Sequence, residues 1–66
     1  MLVKELVLNS LENFESFKIQ QCYDNGKIKE VQLTEELYLQ LADEEIDNYY
    51  LDIDGNNKPY ISIKLK

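Results

Sequence analysis

The sequence predicts a small α+β domain in which two β-hairpins form an antiparallel sheet that two short helices cover on one face. Residues 17–33 and 49–65 are rich in β-branched and aromatic side chains, and each segment contains a cluster of turn-forming residues. A segment with apolar residues at helical spacing precedes each hairpin, at residues 2–14 and 35–42. Two hairpins with one apolar face each need helices to cover them, which predicts the order α-β-β-α-β-β in a single domain of residues 1–66.

The N-terminal segment, residues 2–14, fits a helix better than a strand. In a helix, one stripe would contain Val3, Leu6, Val7, Leu11 and Phe14. In a strand, both faces would be apolar and Lys4 would lie among leucines. The helix is therefore favoured, and the alternative is the order β-α-β-α-β-β, in which a short helix begins at Ser10.

Residues 17–33 predict a hairpin around Asn25-Gly26, a dipeptide typical of tight turns. A two-residue turn at this dipeptide would mix polar and apolar side chains on each face. A three-residue loop over 25–27 is favoured, because burial of one face determines register more strongly than a turn dipeptide does. That loop gathers on one face Phe17, Ile19, Tyr23, Val31 and Leu33, with Gln21 and Lys29 as the polar members. The outer face would carry Lys18, Gln20, Cys22, Glu30 and Gln32.

The segment Thr34-Glu35-Glu36 is typical of a helix start. The hydroxyl can accept a hydrogen bond from the first turn, and the carboxylates favour the positive end of the helix dipole. The helix would continue through Leu37 and Leu41 towards Asp43. Leu37, Leu39 and Leu41 also alternate as they would in a strand, so the segment 35–42 retains both interpretations.

The final hairpin carries the clearest pattern in the chain. Its apolar positions face one another when Tyr49 pairs with Ile63, Leu51 with Ile61 and Ile53 with Pro59. This register leaves Gly55-Asn56-Asn57 as a three-residue loop, in which Asn57 can adopt the left-handed conformation. The other face of the sheet would be exposed and would carry Tyr50 and Tyr60, and tyrosine is enriched at protein interfaces.

Several chemistries are excluded by composition. The chain has no histidine, two glycines and one cysteine, Cys22, so it lacks the residues for ordinary zinc sites, phosphate-binding loops and a cysteine nucleophile with a histidine base. Asp52 and Asp54 resemble the start of a calcium loop, but the sixth and twelfth positions hold Asn57 and Ile63 instead of glycine and glutamate. We therefore expect no enzyme activity, no metal and no cofactor. The lone cysteine and the lack of a long apolar segment predict a cytoplasmic rather than a membrane location.

The charge of the chain is strongly acidic. Thirteen acidic residues oppose seven lysines, which gives a net charge of −6, and no lysine occurs between Lys29 and Lys58. This charge repels nucleic acid, so we expect no direct DNA or RNA binding. The acidic segment indicates a basic protein partner, for example an enzyme whose nucleic-acid site the chain would occupy as a decoy. The other interpretation is that the acidic residues only keep a small protein soluble.

These features predict a non-enzymatic protein-binding module. The candidate interaction residues are the tyrosines of the exposed sheet face and acidic residues in or near the final hairpin: Tyr50, Tyr60, Glu44, Glu45, Asp47 and Asp52. The alternative is a homodimeric structural component, because a 66-residue domain buries only about 60% of the surface that its unfolded chain exposes.

Three short segments resemble small uncharacterised proteins of bacteriophages, prophages and mobile elements of low-GC bacteria. They are V-K-E-L-V at residues 3–7, L-E-N-F at 11–14 and K-I-Q-Q-C-Y-D-N-G at 18–26. The resemblance covers about the first third of the chain and carries over no functional residue. It implies an accessory protein that inhibits or modulates a host protein in the bacterial cytoplasm.

Overall fold

Six elements follow one another in the predicted order α-β-β-α-β-β, which a computed structural model of the chain confirms. The structure describes residues 1–22 and 25–66, with only the backbone of Cys22. The elements are α1 (Val3–Ser10), β1 (Phe17–Cys22), β2 (Ile28–Gln32), α2 (Glu35–Leu41), β3 (Ile46–Ile53) and β4 (Pro59–Leu65). The alternative order with an N-terminal strand is wrong. The predictions for Tyr23 and for the side chain of Cys22 lie outside the described residues.

The four strands form one sheet in the order β2-β1-β4-β3. Each hairpin is antiparallel, as predicted, but the two hairpins join through a parallel pairing of β1 with β4. The sheet is therefore mixed rather than purely antiparallel. The pairing follows from the path of the chain, since α2 connects β2 at one edge to β3 at the other edge, and the second hairpin then places β4 beside β1.

The core lies between the two central strands and the helices. It consists of the buried residues Val3, Leu6, Val7, Phe17, Ile19, Ile46, Ile61 and Ile63. Helix α1 supplies three of them, whereas α2 has no fully buried residue and contributes Leu37, Tyr38 and Leu41 as half-buried neighbours. Among the described residues, no buried side-chain nitrogen or oxygen lacks a hydrogen-bond partner. The helices therefore cover the centre of the sheet and leave its margins open.

Helix α1 ends at Ser10, four residues earlier than the predicted stripe. The N–H groups of Asn13 and Phe14 both donate to the Ser10 carbonyl, at 3.1 and 3.0 Å, and close a turn that leads into β1. Leu11 consequently lies 54% exposed, and Phe14 packs half-buried against the core. At the other end of α1, the Val3 N–H donates to the Glu44 carbonyl at 3.0 Å, which ties the helix to the turn before β3.

Helix α2 begins as its sequence predicts. Thr34 is the N-cap residue, and its Oγ1 accepts a hydrogen bond from the Leu37 N–H at 3.2 Å. Glu35 and Glu36 lie in the first turn, where carboxylates interact favourably with the helix dipole. The helix is only seven residues long, which corresponds to about 10 Å.

The register of the final hairpin is confirmed at all three predicted pairs, Tyr49–Ile63, Leu51–Ile61 and Ile53–Pro59. The loop contains Asn57 at a φ of 67°, in the left-handed region that asparagine tolerates better than most residues. Asp54 organises this loop, because its Oδ1 accepts the N–H groups of Lys58 at 3.0 Å and Asn56 at 2.8 Å. The Lys58 hydrogen bond is the larger cause, and together these bonds lower the pKa of the Asp54 carboxyl.

The first hairpin keeps the predicted faces but not the predicted loop. Ile19 pairs with Val31 and Gln21 with Lys29, so these side chains share the predicted face. The predicted three-residue loop over 25–27 is wrong. That loop would pair Ile28 with position 24, whereas Ile28 pairs with Cys22. A shift of two residues leaves every side chain on its face, so the alternating pattern cannot distinguish the two registers.

A pair of isoleucine-to-valine substitutions tests where the core ends. Ile63 is 0% exposed in central strand β4, whereas Ile53 is 60% exposed in edge strand β3. Loss of one buried methylene group destabilises a protein by about 0.5–1.5 kcal/mol, and most surface changes stay within about 0.5 kcal/mol. We expect the urea midpoint of Ile63→Val to fall and that of Ile53→Val to stay near the wild type. Equal losses would contradict this boundary.

Substitutions in the loop test the left-handed residue. Asn57→Ala should lower the free energy of unfolding by about 1 kcal/mol, because a left-handed conformation is unfavourable for residues with a Cβ atom. Asn57→Gly should be neutral or slightly stabilising. Asn56→Ala is the matched control and should change little, since Asn56 does not have a positive φ. The measurement is urea unfolding, and an Asn57→Ala protein as stable as the wild type would disprove the assigned role.

Candidate functional site

Three apolar side chains of β3 lie on the helix-covered side of the sheet, yet the helices do not cover them. Tyr49, Leu51 and Ile53 are 41%, 60% and 60% exposed. Ile63 and Ile61, the cross-strand neighbours of Tyr49 and Leu51, are buried at 0% and 2%, whereas Pro59 opposite Ile53 is exposed. Beyond β4, burial extends only to Ile46 at the start of β3, and the rest of β3 presents a row of uncovered apolar side chains. We call Tyr49, Leu51 and Ile53 the β3 strip.

The exposure of the β3 strip corrects the expectation that this face of the final hairpin is buried. An eight-residue strand extends over about 27 Å, whereas the seven residues of α2 extend over about 10 Å. Leu39 of α2 is 72% exposed, so part of the apolar surface of this helix faces solvent and does not cover the sheet. The sequence feature that could have predicted this exposure is the short length of the second helical pattern.

The strand that carries the strip is also an edge of the sheet. In the order β2-β1-β4-β3, β4 is the one strand that pairs with β3, and at the start of β3 the Ile46 N–H also donates to the Met1 carbonyl at 2.8 Å. Edge strands present unpaired backbone N–H and C=O groups, and proteins commonly protect them with lysine, proline or short length. The other edge strand, β2, has five residues and contains Lys29. Strand β3 has eight residues with neither lysine nor proline, so it is the more accessible edge.

The predicted acidic residues lie along β3 and the turn before it. Glu44 and Glu45 precede the strand, and Asp47 and Asp52 belong to it; all four are exposed. Lys66 contacts Glu45 at 3.1 Å and Lys64 contacts Asp47 at 3.6 Å. The hydrogen bond from Lys66 lowers the pKa of the Glu45 carboxyl. Glu44 and Asp52 have no lysine partner among the described residues.

The predicted tyrosines lie on the sheet face opposite the helices, here called the open face. Tyr50 pairs with Ser62 and Tyr60 with Asp52, so the two rings occupy diagonal positions. Tyr50 is 46% exposed, but Tyr60 is only 5% exposed. Tyr50 can therefore contact a partner, whereas Tyr60 offers almost no surface. The sequence pattern placed both rings on the correct face but could not distinguish their burial.

Tyr60 is buried by a polar network on the open face. Its hydroxyl can donate to Glu30 Oε1 at 3.3 Å or to Asp52 Oδ2 at 3.4 Å, and the Lys18 Nζ lies 4.3 Å from its ring centroid. Ser62, which is 0% exposed, donates to Glu30 Oε2 at 2.5 Å. Burial, followed by the negative charges of Glu30 and Asp52, raises the pKa of the Tyr60 phenol to about 12. This network stabilises the neutral phenol and makes Tyr60 a structural residue.

A groove of about 600 Å³ lies between the turn after α1 and the loop of the final hairpin. Its lining residues are Leu11, Glu12, Asn13, Glu15, Ser16, Asp54, Lys58 and Pro59. The carboxylates there have no histidine or cysteine beside them, since the chain contains no histidine and its cysteine is not among the lining residues. The groove is therefore lined by three carboxylates and one lysine together with neutral polar and apolar side chains.

No protein-family model, curated protein or solved structure matches this chain. In the part of the chain that the structure describes, no helix combines the length and apolar character needed to cross a membrane. The function has to be inferred from the geometry of the β3 strip, the accessible edge and the acidic residues around them.

The high pKa of Tyr60 has a consequence for stability in alkali. Its pKa rises from 10.0 to about 12 on folding, so between these pH values the unfolded state loses the proton first. The stabilisation that this pKa difference gives to the folded state is fully present below pH 10 and is lost as the pH rises towards 12. We expect the urea midpoint of Tyr60→Phe to fall less steeply than that of the wild type over this range. Parallel falls for the two proteins would show that Tyr60 is not shielded as described.

Proposed function

We propose that this chain is a small acidic, non-enzymatic protein-binding module that contacts its partner through strand β3. The observation that carries the proposal is the β3 strip, three apolar side chains that remain uncovered although Ile61 and Ile63, the β4 neighbours of Leu51 and Tyr49, are buried. Exposed apolar side chains in a row on an edge strand are unfavourable in isolation and become favourable when a partner covers them.

The charge around the strip supports a basic partner. Two acidic residues that lack a lysine partner among the described residues, Glu44 and Asp52, lie before and within β3. Three others form ion pairs, namely Asp43 with Lys4, Glu45 with Lys66 and Asp47 with Lys64. Part of the acidic segment is thus neutralised within the chain. This favours a contact that combines apolar burial with charge over a decoy that acts by charge alone.

The resemblance to small phage and mobile-element proteins supports a more specific role. In this proposal the chain is an accessory protein in the bacterial cytoplasm that modulates or inhibits a host protein. The host protein would present a surface with apolar residues beside lysine or arginine, because that surface complements β3 and its acidic neighbours.

The alternative function is a self-associating structural component. The β3 strip also favours this alternative, because two copies could cover each other's apolar side chains. A charge of −6 on each copy opposes the association. The two functions differ in the mass of the purified protein at micromolar concentration, where the proposed module is a monomer and the structural component is a dimer.

Site-specific photo-cross-linking tests the proposed surface in the host cell. A photoreactive amino acid replaces Leu51 in one variant and Ile28 in another; the two residues are 60% and 62% exposed and lie on opposite edges of the sheet. We expect position 51 to cross-link a basic host protein that position 28 does not capture. Cross-linking of the same proteins from both positions, or of none from position 51, would contradict the proposal.

The affinity for a captured partner provides the quantitative control. Ile53→Ala and Ile28→Ala remove the same side chain at 60% and 62% exposure. We expect Ile53→Ala to weaken binding about tenfold, because the partner would bury this side chain, and Ile28→Ala to change it less than threefold. Replacement of Glu44, Glu45 and Asp47 by alanine should reduce both the affinity and its dependence on salt. Binding that is identical at low and high salt would exclude the acidic contribution.

A further inference from the structure

We infer that β3 binds its partner by strand addition: a basic, amphipathic segment of the partner becomes the fifth strand of the sheet. This inference rests on the proposed function and specifies how the β3 strip is covered. It depends on three properties of β3, namely its free edge, its alternating side chains and the charge of one of its faces.

The free edge supplies the backbone contacts. Strand β3 extends over the eight residues Ile46–Ile53, and the only irregularity in its pairing lies at one end, between Ile46 and Asn48. The segment 48–53 pairs with β4 without interruption. The N–H groups of Tyr49 and Ile53 donate to the side chains of Asn48 and Asp52, at 2.8 Å each, and an added strand would replace these exposed local contacts with main-chain hydrogen bonds. Five or six residues are enough for an added strand to form a ladder of main-chain hydrogen bonds.

The alternation along β3 determines the pattern of the partner. Tyr49, Leu51 and Ile53 point to the helix-covered side, and Tyr50 and Asp52 belong to the open face. Residues that lie opposite each other on neighbouring strands share a face. An added strand would therefore place apolar side chains beside the β3 strip and polar side chains beside Tyr50 and Asp52.

The open side of β3 favours a cation in those polar positions. Asp52 is exposed and forms no ion pair among the described residues. Its neighbour Tyr50 is 46% exposed and presents an aromatic ring, a second group that attracts lysine and arginine. On the same face, Lys18 already lies 4.3 Å from the ring centroid of Tyr60. The complementary strand thus alternates apolar residues with lysine or arginine.

A second copy of this chain fits the geometry but not the charge. An antiparallel pair of β3 strands centred on Leu51 would bring both β3 strips together, with Tyr49 opposite Ile53 of the other copy. It would also bring together two molecules of charge −6. Salt separates the two occupants, because screening weakens attraction to a basic strand and weakens repulsion between two acidic copies.

The test uses the whole protein and nine-residue peptides with blocked ends. The probe alternates lysine with valine. The first control has the same composition in a block of lysines followed by a block of valines. The second alternates glutamate with valine, and the third is the probe with a methyl group on one central backbone nitrogen. Binding is measured by titration in 50 mM and 500 mM salt, with backbone amide NMR signals and amide hydrogen exchange to locate the site.

We expect the alternating lysine peptide to bind at least tenfold more tightly than each of the three controls and to bind more weakly at high salt. The amide signals of residues 48–53 should shift and gain protection, and those of β2, residues 28–32, should not. Ile53→Ala should weaken binding of the peptide and Ile28→Ala should not, although the two isoleucines are similarly exposed, at 60% and 62%.

Each of the following results would overturn the inference. If the block peptide binds as tightly as the alternating lysine peptide, the attraction depends on charge alone. If the amides of β2 gain protection, the peptide binds the other edge of the sheet. A dimer that strengthens with salt and excludes the peptide would identify a second copy as the occupant. If the peptides fail but position 51 still cross-links one basic host protein, strand addition is wrong and the proposed function stands. If position 51 also fails, both are wrong.

Discussion

The parallel pairing of β1 with β4 is the contact on which the rest of the structure depends. It places Phe17 beside Ile61 and Ile19 beside Ile63, and these four side chains form the floor of the core. The pairing also makes β1 and β4 the central strands, so β2 and β3 become the edges. The accessibility of β3, and with it the candidate interaction surface, is therefore a result of how the two hairpins join.

The two faces of the sheet are shielded from solvent in different ways. On the helix side, apolar burial is strong at the centre and incomplete at β3. On the open face, no helix is available, and polar side chains shield one another instead: Ser62 lies at 0% exposure under Glu30, and Tyr60 lies under Lys18 and between two carboxylates. Shielding of this kind leaves Tyr50 and the β3 strip as the large uncovered side chains of the final hairpin's first strand.

The element order and several local features of this fold could be predicted from the sequence, whereas the loop of the first hairpin and the exposure of particular side chains could not. The Thr34 cap, the left-handed Asn57 and the register that pairs Ile53 with Pro59 each depend on residues close together in the chain. The burial of Tyr60 depends on Glu30, thirty positions away, and a pattern of alternation contains no information about such a partner. The exposure of Leu51 depends on how far a helix reaches across a sheet, which follows from the order of the strands.

The join between β1 and β4 also has a consequence for how the chain folds. Ile19 and Ile63 are paired although 44 positions separate them, whereas each hairpin can form from neighbouring residues. The chain between them has to close into a long loop, at a cost in conformational entropy, before the contacts that offset this cost can form. An isolated two-stranded hairpin has little stability in water. We therefore expect neither half of the chain to fold alone, and the domain to unfold in a single cooperative transition.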